Sequence, residues 1–206
     1  ADDFQLFQGL SQRLDQLLLG YLGGIEALGI YAAAWKILEA LAFAPMLAMT
    51  VLAPVLSGAY RESPAAFRAR LMRMTRWLFW AMLGLTLLVI PAVQWVVPLA
   101  FGEQYAPATR IFGVLGWALP LIALNGLCAQ WALNVNQAGY LVEKGLAGLL
   151  SCLGLGLLLI PESGFMGAAV SVVASQAFAT LIYGWFRPAG REILVLQARA
   201  VFLGHI

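Results

Sequence analysis

The chain alternates long apolar runs with short polar or glycine-containing turns. A helix needs about 20 apolar residues to cross the hydrocarbon core of a bilayer. Six runs are predicted to be long enough, and they cover about residues 4–22, 25–59, 77–99, 108–133, 139–160 and 164–186. The second run exceeds one span, so its helix is expected to extend past one membrane face. The pattern predicts an all-α, polytopic membrane bundle of six transmembrane helices, which form one lobe over residues 1–190.

One stretch, RESPAAFRARLMRMTR at residues 61–76, is strongly basic. Ser63 followed by Pro64 is typical of a helix start. Phe67, Leu71 and Met74 then recur at helical spacing, with arginines between them. This stretch is therefore predicted to be a cytoplasmic loop that carries a short amphipathic helix on the membrane surface. An alternative is that its arginines only set the topology.

The placement of lysine and arginine also predicts the orientation of the bundle. Cytoplasmic loops of membrane proteins carry an excess of these residues. The basic stretch, the turn at 134–144 and the tail at 191–206 fall on one side, whereas the turns at 23–26, 102–105 and 162–163 contain no lysine or arginine. We expect a multi-pass membrane protein with a cytoplasmic C-terminal tail.

Composition supports a membrane protein and excludes several other classes. Hydrophobic residues make up 62% of the chain and charged residues 11%, against about 25% charged in soluble domains. The net charge of +2 is too small to indicate a nucleic-acid partner. Cys128 and Cys152 lie within apolar runs, and His205 is the only histidine. We therefore expect no metal, no cofactor and no catalytic site.

Two pairs of charged residues lie inside apolar runs, on either side of the predicted turn at 23–26. Arg13 and Asp15 belong to the first run, and Lys36 and Glu39 to the second. In a helical hairpin Arg13 and Lys36 lie roughly 15 Å below the turn, near the middle of a bilayer. Charges there normally face a bundle interior or a wet cavity.

These charges support two interpretations. In the structural one they neutralise each other, with Lys36 contacting Asp15, and only fasten the helices together. In the functional one Arg13 and Lys36 bind an anionic head group such as a pyrophosphate. Asp15 or Glu39 then takes up a coupling proton or Na⁺.

Polar side chains also mark one face of the fourth run. Gln130, Asn134 and Gln137 recur at i, i+4 and i+7, and Asn125 lies deeper. Amides suit the hydrogen-bonding groups of a sugar, so Gln130 and Asn134 are candidate substrate-binding residues. Hydrogen bonding between helices, or exposure at the membrane boundary, explains the same pattern equally well.

The hairpin sequence RLDQLLLGYLGGIEALGIYAAAWKILEALAFAPMLAMTVLAPVLS at 13–57 resembles the seventh and eighth helices of polysaccharide flippases. These are the Wzx-like O-antigen and exopolysaccharide exporters of the MOP transporter superfamily. FGEQYAPATRIF resembles their turn between helices nine and ten, and GFMGAAVS the start of helix twelve. The resemblance implies that this chain is the C-terminal half of a twelve-helix protein. The N-terminal lobe of the same protein would precede it and act as its partner.

The resemblance also implies a function. Two six-helix lobes enclose a cavity and carry an undecaprenyl-pyrophosphate-linked oligosaccharide from the cytoplasmic to the periplasmic leaflet, driven by an ion gradient. Arg13, Asp15 and Lys36 would face that cavity, and the polysaccharide polymerase machinery is a further expected partner. The alternatives are a multidrug exporter of the same superfamily, a membrane-embedded polymerase or ligase of lipid-linked sugars, and a scaffold that transports nothing. The short turns opposite the arginines argue against an enzyme.

Overall fold

Helices form nearly all of the protein. The computed structural model describes the backbone of residues 2–203 and the side chains of residues 16–21, 24–25, 27–99 and 102–202. The α-helices are α1 (Asp2–Glu62), α2 (Pro64–Phe101), α3 (Ala106–Leu115), α4 (Ala118–Asn134), α5 (Ala138–Ala177), α6 (Tyr183–Phe186) and α7 (Pro188–Ala198). A 3₁₀ turn at Glu103–Tyr105 and π-helical turns at Phe178–Ile182 and Arg199–Leu203 join or extend them. The predicted all-α class is confirmed.

Glycines with positive φ divide the two longest helices into arms. Gly24 has φ 85° and breaks α1 into a first arm (residues 2–23) and a second arm (residues 25–62). Gly164 has φ 54° and breaks α5 into a first arm (residues 138–163) and a second arm (residues 165–177). Residues with a Cβ rarely adopt such angles, whereas glycine adopts them readily. The arms, α2 and the α3–α4 pair correspond to the apolar runs of the sequence.

The described part of the chain contains three helices that are long and apolar enough to cross a membrane, or four if the bent α3–α4 pair is counted as one span. The three are Ala27–Glu62, Pro64–Leu99 and Ala138–Phe186, the last of which contains the break at Gly164. The predicted span at 108–133 is bent, because α3 and α4 meet at an angle of 42°. Pro120 in the first turn of α4 has no N–H to continue the hydrogen bonding of α3. Most side chains of the predicted span at 4–22 lie outside the described residues.

The basic stretch differs from its prediction. Ser63 does cap a helix that begins at Pro64, and its Oγ accepts a hydrogen bond from the amide of Ala66 at 3.1 Å. The helix then continues without a break to Phe101. Neither proline nor glycine occurs between Pro64 and Gly84 to interrupt it. The prediction of a loop with a separate surface helix was therefore wrong, since residues 64–76 are the first turns of α2.

The C-terminal segment is also more ordered than a tail. Residues 188–198 form α7, and Ile193 and Leu196 are 1% and 7% exposed. The side-chain amide of Gln197 donates a hydrogen bond to the carbonyl oxygen of Leu124 at 2.9 Å. The apolar side of this segment thus packs into the bundle. His205 lies outside the described residues.

Two hydrophobic cores follow one another along the bundle. The first contains Leu19, Tyr31 and Phe112 and joins both arms of α1 to α3 and α5. The second contains Leu56 and Trp131 and joins the end of α1 to α2, α4 and α7. The second arm of α1 passes both cores and is about 57 Å long at 1.5 Å per residue. Since a bilayer core is about 30 Å thick, this arm is longer than one span requires.

Candidate functional site

Lys36 and Glu39 lie on the second arm of α1, and both side chains are exposed. The opposite side of this helix is buried in the first core through Tyr31, Ala34 and Leu38. Lys36 is 12 residues beyond the turn at Gly24, or about 18 Å along the helix. The ammonium group therefore faces away from the core at about the middle depth of a bilayer.

The surroundings of Lys36 are mostly apolar. Phe43 and Leu47, which share its side of the helix, are 56% and 49% exposed. The Trp35 ring stacks on Tyr31 with centroids 6.0 Å apart. Within the described part of the chain, Lys36 and Glu39 form no ion pair with each other or with another residue. A charge on an otherwise apolar helix face requires a polar counterpart in the membrane.

The other members of the predicted charge patch, Arg13 and Asp15, lie outside the described side chains. Their backbone belongs to the first arm of α1. The two arms pack side by side, since Leu28 lies 3.3 Å from the place of a Cβ on Gly20. The contact of Lys36 with Asp15 stays a prediction, as do the roles of Arg13 in binding and of Asp15 in ion coupling.

Asn134 and Gln130 share one face of α4, as their spacing predicts, and both are partly buried. The amide nitrogen of the Asn134 side chain donates to the carbonyl oxygen of Gln130 at 2.8 Å. This bond uses one of the two amide protons within the helix itself. The other proton and the amide oxygen, together with the Gln130 side chain, remain for contacts to a ligand or to another helix.

These two amides lie far from Lys36 along the bundle. The second arm of α1 and α4 meet where Met49 lies 3.0 Å from the place of a Cβ on Gly126. Leu56 and Trp131 share the second core beyond that point, so the two helices run in the same direction. Lys36 is 13 residues before Met49 and Gln130 is 4 residues after Gly126, a separation of about 26 Å. The predicted substrate-binding residues therefore form two groups.

Asn125 connects two helices. Its side-chain nitrogen donates to Gln176 Oε1 at 2.8 Å, and its Oδ1 accepts from the hydroxyl of Thr180 at 3.0 Å. Both of its polar atoms are thus bonded between α4 and the end of the second arm of α5 with the π-helical turn that follows it. For Asn125 the alternative of interhelical hydrogen bonding is confirmed.

Lys144 is a buried charged residue that the sequence analysis assigned to a polar turn. The structure places it in the second turn of α5 with 5% of its surface exposed. It lies between Tyr140, whose ring stacks on Tyr183 at 6.4 Å, and Gly148, which packs against Ala179. The face of α5 that carries Lys144 therefore packs against the segment of the chain that follows Gly164. The helical spacing of Tyr140, Lys144 and Gly148 was the signal in the sequence that could have revealed this burial.

Lys144→Met is expected to preserve or raise stability. Among the described residues Lys144 has no hydrogen-bond or ion-pair partner, and burying an unpaired charge is costly. Methionine keeps much of the volume without the charge, so the free energy of unfolding is expected to increase by about 1–3 kcal/mol. Thermal unfolding in detergent measures this change. Lys36→Met, on an exposed face, serves as control and is expected to stay within about 0.5 kcal/mol. A loss of stability in Lys144→Met alone would contradict the expectation.

Three ion pairs surround the second core. Arg70 pairs with Glu62 at 2.9 Å, and Arg68 of α2 pairs with Glu192 of α7 at 2.9 Å. Arg187 pairs with Glu143 at 2.8 Å, and the Tyr183 hydroxyl donates to the same carboxylate at 3.2 Å. The interactions with Tyr183 and Glu143 raise the pKa of Arg187 above its ordinary value. Exposed pairs contribute little energy individually. Arg68–Glu192 joins α2 to α7, and Arg187–Glu143 joins the turn before α7 to α5.

Comparison with known proteins adds the family. The model of a family described as polysaccharide biosynthesis protein matches residues 4–110, more than half of the chain. No curated protein and no solved structure matches the chain. The matched region covers α1, α2 and the start of α3, with Arg13, Asp15, Lys36 and Glu39, and leaves Gln130 and Asn134 outside. The long apolar helix that carries Lys36 thus lies within the matched region. Because the family model matches more than half of the chain, the chain belongs to the polysaccharide biosynthesis protein family.

Proposed function

We propose that this chain is the C-terminal lobe of a flippase. The flippase moves undecaprenyl-pyrophosphate-linked oligosaccharide repeat units across the bacterial inner membrane by alternating access, for the synthesis of O-antigen or exopolysaccharide. The family match supports a role in polysaccharide biosynthesis. The observation that carries the proposal is the exposed Lys36 on an apolar helix face, because a hydrophilic substrate needs a polar surface at the middle of the membrane.

The chemistry of the hairpin suits the proposed substrate. A pyrophosphate is anionic at neutral pH, and Lys36 and Arg13 supply cations that bind phosphate oxygens. Pairing with the substrate would offset the cost of leaving Lys36 charged at this depth. Glu39 and Asp15 are acceptors for H⁺ or Na⁺, so binding of the coupling ion would change the net charge of the same surface. The exposed face of the second arm of α1 would then line a cavity shared with an N-terminal lobe.

The separation of the amides from Lys36 fits an extended substrate. Gln130 and Asn134 lie about 26 and 32 Å from Lys36, towards the arginine-rich end of the bundle. An oligosaccharide that follows its pyrophosphate could reach from one group to the other. In this arrangement the amides would contact sugar hydroxyls at the cytoplasmic entrance while the cations bind the head group.

The same proposal sets the orientation. The ion pairs of Arg68, Arg70 and Arg187 surround the second core. Lysine and arginine are enriched on the cytoplasmic side of membrane proteins. This end is therefore proposed to be cytoplasmic together with α7, and the turns at Gly24, Gly102 and Gly164 periplasmic.

A complementation experiment tests the function. The full-length protein is expressed in a cell that lacks its flippase, and surface polysaccharide and lipid-linked repeat units in each leaflet are measured. Restored polymer with a loss of repeat units from the inner leaflet is the expected result. Repeat units that reach the outer leaflet but fail to elongate in a mutant of this protein would indicate a polymerase or ligase. Drug resistance without any change in polysaccharide would indicate a multidrug exporter.

A further inference from the structure

One face of α2 is exposed along the whole helix. Arg73, Trp77, Leu88, Trp95 and Leu99 follow one another at spacings that place them on the same side. Trp77, Leu88, Trp95 and Leu99 are between 68% and 90% exposed. The opposite side is buried and contributes Leu71, Thr75, Met82, Thr86, Val93 and Val97 to the interior. We call the exposed side the α2 outer stripe.

The α2 outer stripe has the polarity profile of a bilayer. Trp77 and Trp95 are 18 residues apart, or about 27 Å along the helix, and the hydrocarbon core is about 30 Å thick. Tryptophan is enriched at the two boundaries of that core. Trp80 follows Trp77 by one turn, and alanine, glycine, leucine and proline occupy the rest of the stripe up to Trp95. The stripe therefore faces lipid, with Trp77 at the boundary nearer to the arginines.

Arg73 lies one turn beyond Trp77, where the phosphates of the lipid head groups are located. It is exposed, and within the described residues it forms no ion pair. The neighbouring Arg68 and Arg70 are instead paired with Glu192 and Glu62. The guanidinium of Arg73 is thus available to an anionic group from outside the chain.

We propose that Arg73, Trp77 and Trp80 form a binding site for an anionic phospholipid of the adjacent leaflet. The phosphate accepts hydrogen bonds from the guanidinium of Arg73. The carbon atoms of the acyl chains nearest to the head group contact the rings of Trp77 and Trp80, which are exposed. A zwitterionic lipid carries a cation beside its phosphate and gains less from this charge. A protein partner would have to reproduce the apolar length and the charged end of a lipid, so the phospholipid is the better match.

Native mass spectrometry of the purified full-length protein in detergent tests this site, with phosphatidylglycerol and phosphatidylcholine as the two probes. The unmodified protein is expected to bind phosphatidylglycerol several times more tightly. Arg73→Gln is expected to weaken that binding about fivefold, the effect of one basic residue near an anionic surface, and to leave phosphatidylcholine binding unchanged. Trp77→Ala is expected to weaken the binding of both lipids.

Arg68→Gln is the matched control, because it removes the same charge from the same helix at a position paired with Glu192. Its affinity for phosphatidylglycerol is expected to stay within twofold of the unmodified value. Thermal unfolding verifies that each variant is folded. Equal affinities for the two lipids, or equal losses in Arg73→Gln and Arg68→Gln, would overturn the proposal. A dimer that dissociates in Arg73→Gln would also overturn it and assign the stripe to a second copy.

Discussion

Gly167→Ala is expected to lower the free energy of unfolding by about 3 kcal/mol, the upper end of the usual cost of overpacking. Gly167 lies where the chain returns after Gly164 and packs against the first arm of α5. A Cβ at Gly167 would overlap the carbonyl oxygen of Leu159 and lie 2.9 Å from the amide nitrogen of Ile160. Both are backbone atoms, which cannot rotate away as a side chain can. The two arms of α5 would therefore have to separate.

Thermal unfolding in detergent measures this effect, and a decrease of roughly 6–12 °C corresponds to the expected change for a chain of this size. Gly154→Ala is the matched control, because it lies in the same helix and a Cβ there has no atom within 4 Å. Alanine favours a helix over glycine by up to about 1 kcal/mol, so the control is expected to be unchanged or slightly stabilised. Equal stability of the two variants would contradict the close packing of the hairpin.

Lys36→Ala is expected to reduce transport of lipid-linked repeat units by about two orders of magnitude. If Lys36 compensates the substrate charge at mid-depth, its removal leaves that charge without a counterpart. The cost of a charge there is about 2.5–3.5 kcal/mol on insertion scales, which corresponds to roughly 70- to 400-fold. Surface polymer and lipid-linked precursor are measured in flippase-deficient cells at equal membrane abundance, and Lys36→Arg is expected to retain activity.

Arg61→Ala provides the control for Lys36, since Arg61 is an exposed cation in the last turn of the same helix. It is expected to transport normally, because it lies about 38 Å from Lys36 along the helix and outside the membrane core. Unchanged transport in Lys36→Ala would show that the substrate binds elsewhere. Loss of the protein itself in Lys36→Ala, with normal activity per remaining molecule, would assign Lys36 to the structural interpretation.

Some errors of the sequence analysis share one cause. The basic stretch was assigned to a loop, and Lys144 was counted with the turn at 134–144 although it also falls within the predicted span at 139–160, because charge was taken as the sign of a segment outside the helices. In the structure residues 64–76 continue α2, and Phe67 and Leu71 are buried between the arginines. Charge reports the solvent that a residue prefers, whereas a helix continues where nothing interrupts its backbone hydrogen bonds, and residues 65–83 contain neither proline nor glycine. The absence of proline and glycine could be read in the sequence, but the prediction gave more weight to the charge of the stretch.

Burial and distance depended on contacts between distant segments. Lys144 is covered because the chain returns past it after Gly164. The segment α7 packs on the bundle through the buried Ile193 and through the hydrogen bond from Gln197 to Leu124. The 26 Å between Lys36 and Gln130 follows from the meeting of Met49 with Gly126. Each relation joins residues more than 30 positions apart, which a local pattern does not connect.

The sequence by itself determined the all-α class of this protein, the presence of its long apolar helices and the glycines at which the two longest helices break. Those features depend on local properties, namely the hydropathy of about 20 consecutive residues and the freedom of glycine to adopt positive φ. The tertiary structure alone decided which charged residues are buried, paired or exposed. It left Lys36 and Arg73 facing outwards, covered Lys144 and paired Arg68 with Glu192, because burial and pairing arise only when separate helices pack together.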